Sequence, residues 1–152
     1  MTLKLKIVSL LVGIAVLVIG VCVWSLHTSV GTVSINGTEI SVRIAEYAFG
    51  QKKGLAGYTE DSLAEDGMLF LFDEPKVRTF WMKGTKMDLD VLWISGGKIV
   101  AIDRDVQAPF SRADEPEQVT SSPLFVDAVL ELPAGGVEEF GIIEGMLVVL
   151  PE

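Results

Sequence analysis

VSINGTEISVRIA, residues 33–45, decides the architecture. Apolar and polar residues alternate on both sides of Asn36-Gly37. An Asn-Gly pair between alternating runs is the strongest short hairpin signal, because a type I′ turn needs positive φ at both central positions. Strands are expected at about 32–35 and 38–44. Further along, DVLWISGGKIVAIDRDV (90–106) repeats the pattern about Gly96-Gly97, with strands near 89–95 and 98–103.

The rest of the chain supplies short pieces around these two hairpins. Residues 45–56 lose the alternation and read as a short helix, with Gly54 and Gly57 as candidate stops. TEDSLAEDG (59–67) reads as an acidic loop or short turn, and MLFLF (68–72) as a strand broken by Asp73-Glu74-Pro75. A strand over Val77–Met82 is expected next, then a turn through KGTKMD (83–88). Residues 107–122, rich in Pro, Ser, Asp and Glu, read as a long surface loop, and loops of that length tend to be functional or mobile. A strand at 125–131, a short acidic helix in VEEFG (137–141) and a last strand at 145–150 complete the chain. Six to eight short strands and two short helices predict a mostly β fold (β-rich α+β), a compact barrel or a strongly curved sheet.

The N-terminal segment follows other rules. IVSLLVGIAVLVIGVCVWSL, residues 7–26, is twenty residues without a charge. As a helix it would extend about 30 Å, the thickness of a bilayer's hydrocarbon core. Lys4 and Lys6 precede it, and the next charged residue, Glu39, is acidic. The positive-inside rule therefore keeps the N-terminus cytoplasmic and places the remainder across the membrane. The expected organisation is a membrane anchor or uncleaved signal at 1–26, a spacer at 27–31 and an extracytoplasmic domain at 32–152. Cleavage of the segment as a signal peptide, which would release the domain, is the alternative, although the apolar run is long and the small-x-small site is poor. A lipoprotein signal would need a small residue before Cys22, where Val21 stands.

Composition excludes several functions. The chain has 152 residues, 49% hydrophobic and 22% charged, with a formal net charge of −9. Two of its twelve basic residues precede the apolar segment, which leaves ten beyond it against all 21 acids, a net of −11. Such a surface is repelled by phosphate backbones and anionic lipid, so nucleic acid is not an expected partner. The single Cys (Cys22) and the single His (His27) both lie before the β domain. Nucleophilic triads and His- or Cys-based metal sites are thereby excluded from its interior. Neither glycine pair sits in a phosphate-loop context, and no cofactor is expected.

Three ordered motifs, GLAGYTEDSLAEDGMLFLF (54–72), FWMKGTKMDLDVLWI (80–94) and VLELPAGGVEEFGI (129–142) with GMLVV (145–149), resemble the family called domain of unknown function 192 (DUF192, also UPF0127). The likeness covers about residues 38–150. Ala56 stands where the family usually has Met, Gly84 where it favours Asn, and Asp88 where Pro is common. The resemblance implies a compact, largely β domain, often exported or membrane-anchored in bacteria and archaea. It brings no established catalytic or binding residues.

Chemistry must then come from carboxylates, Lys, Tyr, Ser or aromatic surfaces. Asp88 and Asp90 are two apart, which on one strand puts both on the same face, and Glu131 is a possible third carboxylate. Close carboxylates repel, which raises one pKa and suits acid–base work or a hard cation. The structural alternative has Asp90 pinning a turn, Asp88 solvated, and Glu131 accepting N–H bonds from the Pro133–Gly136 turn. Trp81 alternates with Phe80 and Met82, and is either core on the second side of a sheet or an exposed platform beside Lys83. Trp81, Lys83 and Asp90 form the preferred binding site, with Asp88 and Glu131 as further candidates. Three functions follow: a non-catalytic binding or accessory module of the envelope, a carboxylate-dependent hydrolase of envelope polysaccharide, or a structural domain that docks a membrane protein.

Overall fold

Residues 29–45, 48–109 and 119–151 are described by a computed structural model. The expected anchor at 7–26, the start of the spacer and the stretch 110–118 lie outside the described residues. Among the described residues no helix is long and apolar enough to cross a membrane.

The Asn36-Gly37 hairpin forms as its chemistry requires. Strand β1 (Ser29–Ile35) turns through Asn36 at φ 50° and Gly37 at φ 92° into β2 (Thr38–Ala45). The chain then crosses over through a short helix, α1 (Ala48–Lys53), and a single 3-10 turn (Glu60–Ser62). It returns as β3 (Gly67–Lys76), parallel to β2. Arg43 clasps Glu65 at 2.9 Å, and Ser41 and Asp66 exchange two hydrogen bonds of 2.9 Å, which fasten the end of the crossover to β2. After β4 (Thr79–Trp81) come the hairpin strands β5 (Leu89–Ser95) and β6 (Lys98–Val106). Next are β7 (Val119–Ser121), β8 (Val126–Pro133), the four-residue helix α2 (Gly136–Glu139) and β9 (Val148–Val149).

Seven strands make one sheet in the order β6-β5-β8-β3-β2-β1-β9, and β4 with β7 makes a separate ribbon. The main sheet curls into a half-barrel whose two edges meet in one segment, residues 145–149. On one side Asn36 N–H donates to Leu147 O at 2.9 Å. On the other, Val148 N–H donates to Gly97 O at 2.8 Å and Ile99 N–H to Met146 O at 3.0 Å. A strand edge left open would expose a row of unpaired N–H and C=O groups, and this segment covers both edges.

Several expected boundaries shift, for local reasons. Asp73-Glu74-Pro75 does not end β3. The pairing with β8 slips between Leu71 and Lys76, and Pro75 sits in that bulge, where its missing N–H removes no ladder bond. The strand expected over 77–82 shortens to β4, and the end of the supposed loop 107–122 pairs with it as β7. The last strand contracts from 145–150 to two residues because Gly145 to Leu147 bond to the β6 edge instead.

Alternation along the central strands produces two cores. Leu92, Ile94, Leu130, Leu132 and Leu69 point into the curl with Val33, Ile40, Val42 and Val148. Val91, Trp93, Val129, Phe70 and Met68 point the other way, under Leu55, Leu63, Met82 and Met87. Six of the seven β5 residues are therefore buried, on whichever face they lie. Fully burying one such side chain stabilises by about 1.5–3 kcal/mol, so these two layers dominate the stability of the domain.

Asp90 is the polar pin of the inner core. It is 2% exposed and sits at a bulge where Arg104 and Asp105 oppose it on β6. Its Oδ1 accepts the N–H of Asp105 at 3.0 Å, which holds that residue at φ 58°. Its Oδ2 accepts the N–H groups of Gly135 and Val137, both at 3.0 Å, at the start of α2. Asp90→Ala should leave three N–H groups without an acceptor and cost about 3 kcal/mol, read as a lowered urea midpoint at unchanged m-value. A cost under about 0.5 kcal/mol would mean that the pin is dispensable.

Candidate functional site

The outer face of the sheet is covered by short pieces: α1 and the turn after it, the β4–β7 ribbon and the loop leading into β5. These leave a cavity of about 400 Å³ over β3 and β8. Its apolar walls are Leu55, Phe72, Phe80 and Trp81. Phe80 is held by edge-to-face contacts with Phe70 at 4.9 Å and Trp93 at 5.7 Å, so this wall is rigid. Trp93 is fixed in turn by its Nε1–H, which donates to Asp103 at 2.8 Å, an acid that also accepts from the Thr120 hydroxyl.

Glu131 lines the cavity from β8. The alternation that sends Leu130 and Leu132 into the curl sends Glu131 to the outer face, opposite Met68 on β3 and Val91 on β5. It is only 4% exposed, and its Oε2 is buried without a hydrogen-bond partner. Burial raises its pKa from 4.5 to about 8, against a smaller opposing effect of the backbone hydrogen bond with Leu55. A carboxyl group in this state is largely protonated at neutral pH and acts as an O–H donor. Gly54, at φ 51°, turns the chain out of α1 to present Leu55 there, and a Cβ on Gly54 would lie 3.7 Å from Glu131 Oε2.

Cations mark the same cavity. Lys52 and Lys53 reach it from the last turn of α1, and Arg78 from the segment before β4. Arg78 lies over the Phe72 ring at 3.8 Å and donates from Nη2 to Glu74 O at 2.8 Å, while its Nε is buried without a partner. Gln51, Thr79 and Thr85 add polar lining. Among the described residues Glu131 is the only acid in this lining.

The residues singled out from sequence separate into two groups. Trp81 is 52% exposed, a platform at the cavity, and the Lys83 ammonium stands 5.8 Å from its ring centroid. Glu131 joins Trp81 there. Asp90 does not, because it pairs across from Leu132 and faces the inner core. Asp88 lies just before β5 and accepts the N–H of Ala108 at 2.7 Å and the side-chain amide of Gln107 at 3.2 Å. The turn after Pro133 bonds to Asp90 and not to Glu131, since the register puts these two acids on opposite faces. Arg78 and Leu55 carried no recognisable spacing. The one available signal was an acid at position 131, in phase with apolar Val129 on an otherwise buried strand. Among the described residues no cluster of three or more His, Cys, Asp or Glu could hold a metal ion.

The model of the family described as "Uncharacterized ACR", DUF192, matches residues 31–150. The chain belongs to the DUF192 family. Two solved structures share its fold. A protein of unknown function from Novosphingobium aromaticivorans DSM 12444 is 27% identical, with a TM-score of 0.67 over 80% of this chain and 85% of its own. A protein from Sinorhizobium meliloti 1021, described as a candidate transcription regulator, is also 27% identical, with a TM-score of 0.68 over 82% of this chain and 95% of its own. No curated protein matches the chain. The DUF192 assignment thus establishes family and fold and transfers no activity.

Glu131 gives this DUF192 domain a pH-dependent stability. Below the ordinary carboxylate range both folded and unfolded chains carry the proton, and burial costs nothing extra. Between pH 4.5 and about 8 the unfolded chain releases a proton that the folded chain retains, so stability falls as pH rises. Glu131→Gln should remove that fall. Relative to the native chain it should gain on the order of 3–5 kcal/mol between about pH 4 and about pH 9, measured by urea unfolding. Parallel pH profiles for the two proteins would refute the buried, protonated carboxyl.

Proposed function

We propose that this DUF192 protein is a membrane-anchored, extracytoplasmic binding module that holds a small molecule in the Glu131 cavity without transforming it. The observation that carries the reading is a cavity of about 400 Å³ with aromatic walls and a buried carboxyl oxygen that no protein group satisfies. Native proteins rarely leave such an atom unpaired, and ligand pockets combine apolar walls with a few convergent polar groups.

Chemistry on the ligand is disfavoured by the arrangement of acids. Hydrolysis of a glycoside by two carboxylates needs both across one cleft, about 5–9 Å apart. Among the described residues Glu131 is the one acid of its cavity, and Asp90 is engaged by three backbone N–H groups on the opposite face. A role in transcription, suggested by the description of the Sinorhizobium protein, fits poorly with a formal net charge of −9.

The anchor is supported by twenty uncharged residues at 7–26 behind Lys4 and Lys6. β1 begins at Ser29, so the domain would be held close to the membrane surface on the far side. Two measurements test the reading. External protease on intact cells should remove the domain, and the N-terminal fragment should resist carbonate extraction; a domain spared until lysis would invert the topology. The low-molecular-mass fraction of the host envelope, titrated into the full chain in detergent, should slow amide exchange at residues 50–58 and 78–85. The bound compound should be recovered unchanged, and its conversion to a product would replace binding by catalysis.

A further inference from the structure

We propose that the cavity selects a small organic anion, a carboxylate carried on a flat apolar body. The inference deepens the binding reading above and rests on it. Three observations point the same way. First, among the described residues three cations line the cavity (Lys52, Lys53 and Arg78) against one acid, the inverse of the chain's overall balance. Second, two side chains of this lining each carry a buried atom without a partner, Arg78 Nε and Glu131 Oε2. The first is an N–H donor at every accessible pH, and the second is a donor whenever Glu131 keeps its proton. Two unsatisfied donors call for acceptor oxygens, and a carboxylate offers two. Third, Trp81 is half exposed beside Phe80, which offers a ring face to a flat ligand body.

The protein contacts of Arg78 fit the same role. Its guanidinium is already stacked on Phe72 and tethered to Glu74 O, so little side-chain freedom is lost when a ligand meets its Nε–H. An ionised Glu131 would instead favour an amine, which makes the charge of the ligand the deciding property. The other charged groups of the lining among the described residues, Lys52 and Lys53 on α1 and Arg78 before β4, are all cations.

Three probes of nearly equal shape separate these cases: phenylacetate, phenylacetamide and phenethylamine, with charges of minus one, zero and plus one. Each is titrated into the full chain in detergent micelles near neutral pH, with amide shifts of Gly54, Leu55, Thr79 and Trp81 read by NMR. Phenylacetate should bind about 10-fold more tightly than phenylacetamide, as expected for charge-assisted hydrogen bonds, and phenethylamine least. Arg78→Lys, which keeps the charge but removes the fixed Nε–H, should weaken phenylacetate about 10-fold. Equal binding of the acid and the amide, or tightest binding of the amine, would overturn the anion assignment and leave a binding cavity standing. Absence of site-specific shifts with all three probes would overturn the cavity's role in binding altogether.

Discussion

A sheet whose central strands are apolar on both faces must be covered twice, and that constraint organises this domain. β5 and β8 send bulky residues alternately to each side, so neither face can be left to water. The inner face is covered by the sheet itself. Curling brings the β1 and β6 edges to a single segment, residues 145–149, that hydrogen-bonds to both. The outer face has no second sheet to meet it. It is covered by a six-residue helix, a turn, a two-stranded ribbon and loops, and short pieces do not tile a curved surface without gaps. The cavity over Glu131 is the gap they leave.

Two carboxylates in adjacent strands show how register assigns roles to like chemistry. Asp90 and Glu131 are both nearly inaccessible to solvent. Asp90 pairs across from Leu132 and meets a turn whose N–H groups are free to bind it. Glu131 is one residue away in the ladder and meets apolar side chains with one backbone hydrogen bond, to Leu55. A carboxyl group with three N–H donors has its oxygens satisfied by the fold, whereas burial against apolar walls with a single donor penalises the charged form of Glu131. The first stabilises the fold, and the second costs stability once the pH rises above the ordinary carboxylate range.

Legibility from sequence followed the range of the interactions. Both hairpins were readable, because Asn36-Gly37 and Gly96-Gly97 encode their turns locally through positive φ. The mostly β class and the two short helices followed from the same periodicities. The ribbon was not readable, since Val119–Ser121 forms a strand only by meeting Thr79–Trp81 some forty residues earlier. The continuation of β3 through Pro75 depends on a bulge that only the partner strand specifies. At the site, Trp81 with Lys83 was visible as a local pair. Glu131 was visible as a residue but not in its role, because the face it takes depends on its register against β3 and β5. Arg78 was invisible, as its position depends on contacts with Phe72 and Glu74 across a bulge.

An acidic protein with an anion-selective cavity is less contradictory than its net charge suggests. Surface charges act through water and salt, where the screening length is about 8 Å at physiological ionic strength. Acids spread over the remainder of the domain therefore contribute little inside a cavity bounded by Phe72, Phe80 and Trp81. Lys52 and Lys53 line that cavity as exposed side chains and Arg78 as a partly buried one, so it is the Arg78 guanidinium that acts where the effective dielectric is lower. Protonation of Glu131 acts in the same direction. At its ordinary pKa it would be a fixed negative charge in the same lining, and its burial removes that charge at neutral pH. The cations of the lining thus set a local sign opposite to that of the whole chain, and burial of Glu131 strengthens it by removing the opposing charge at neutral pH.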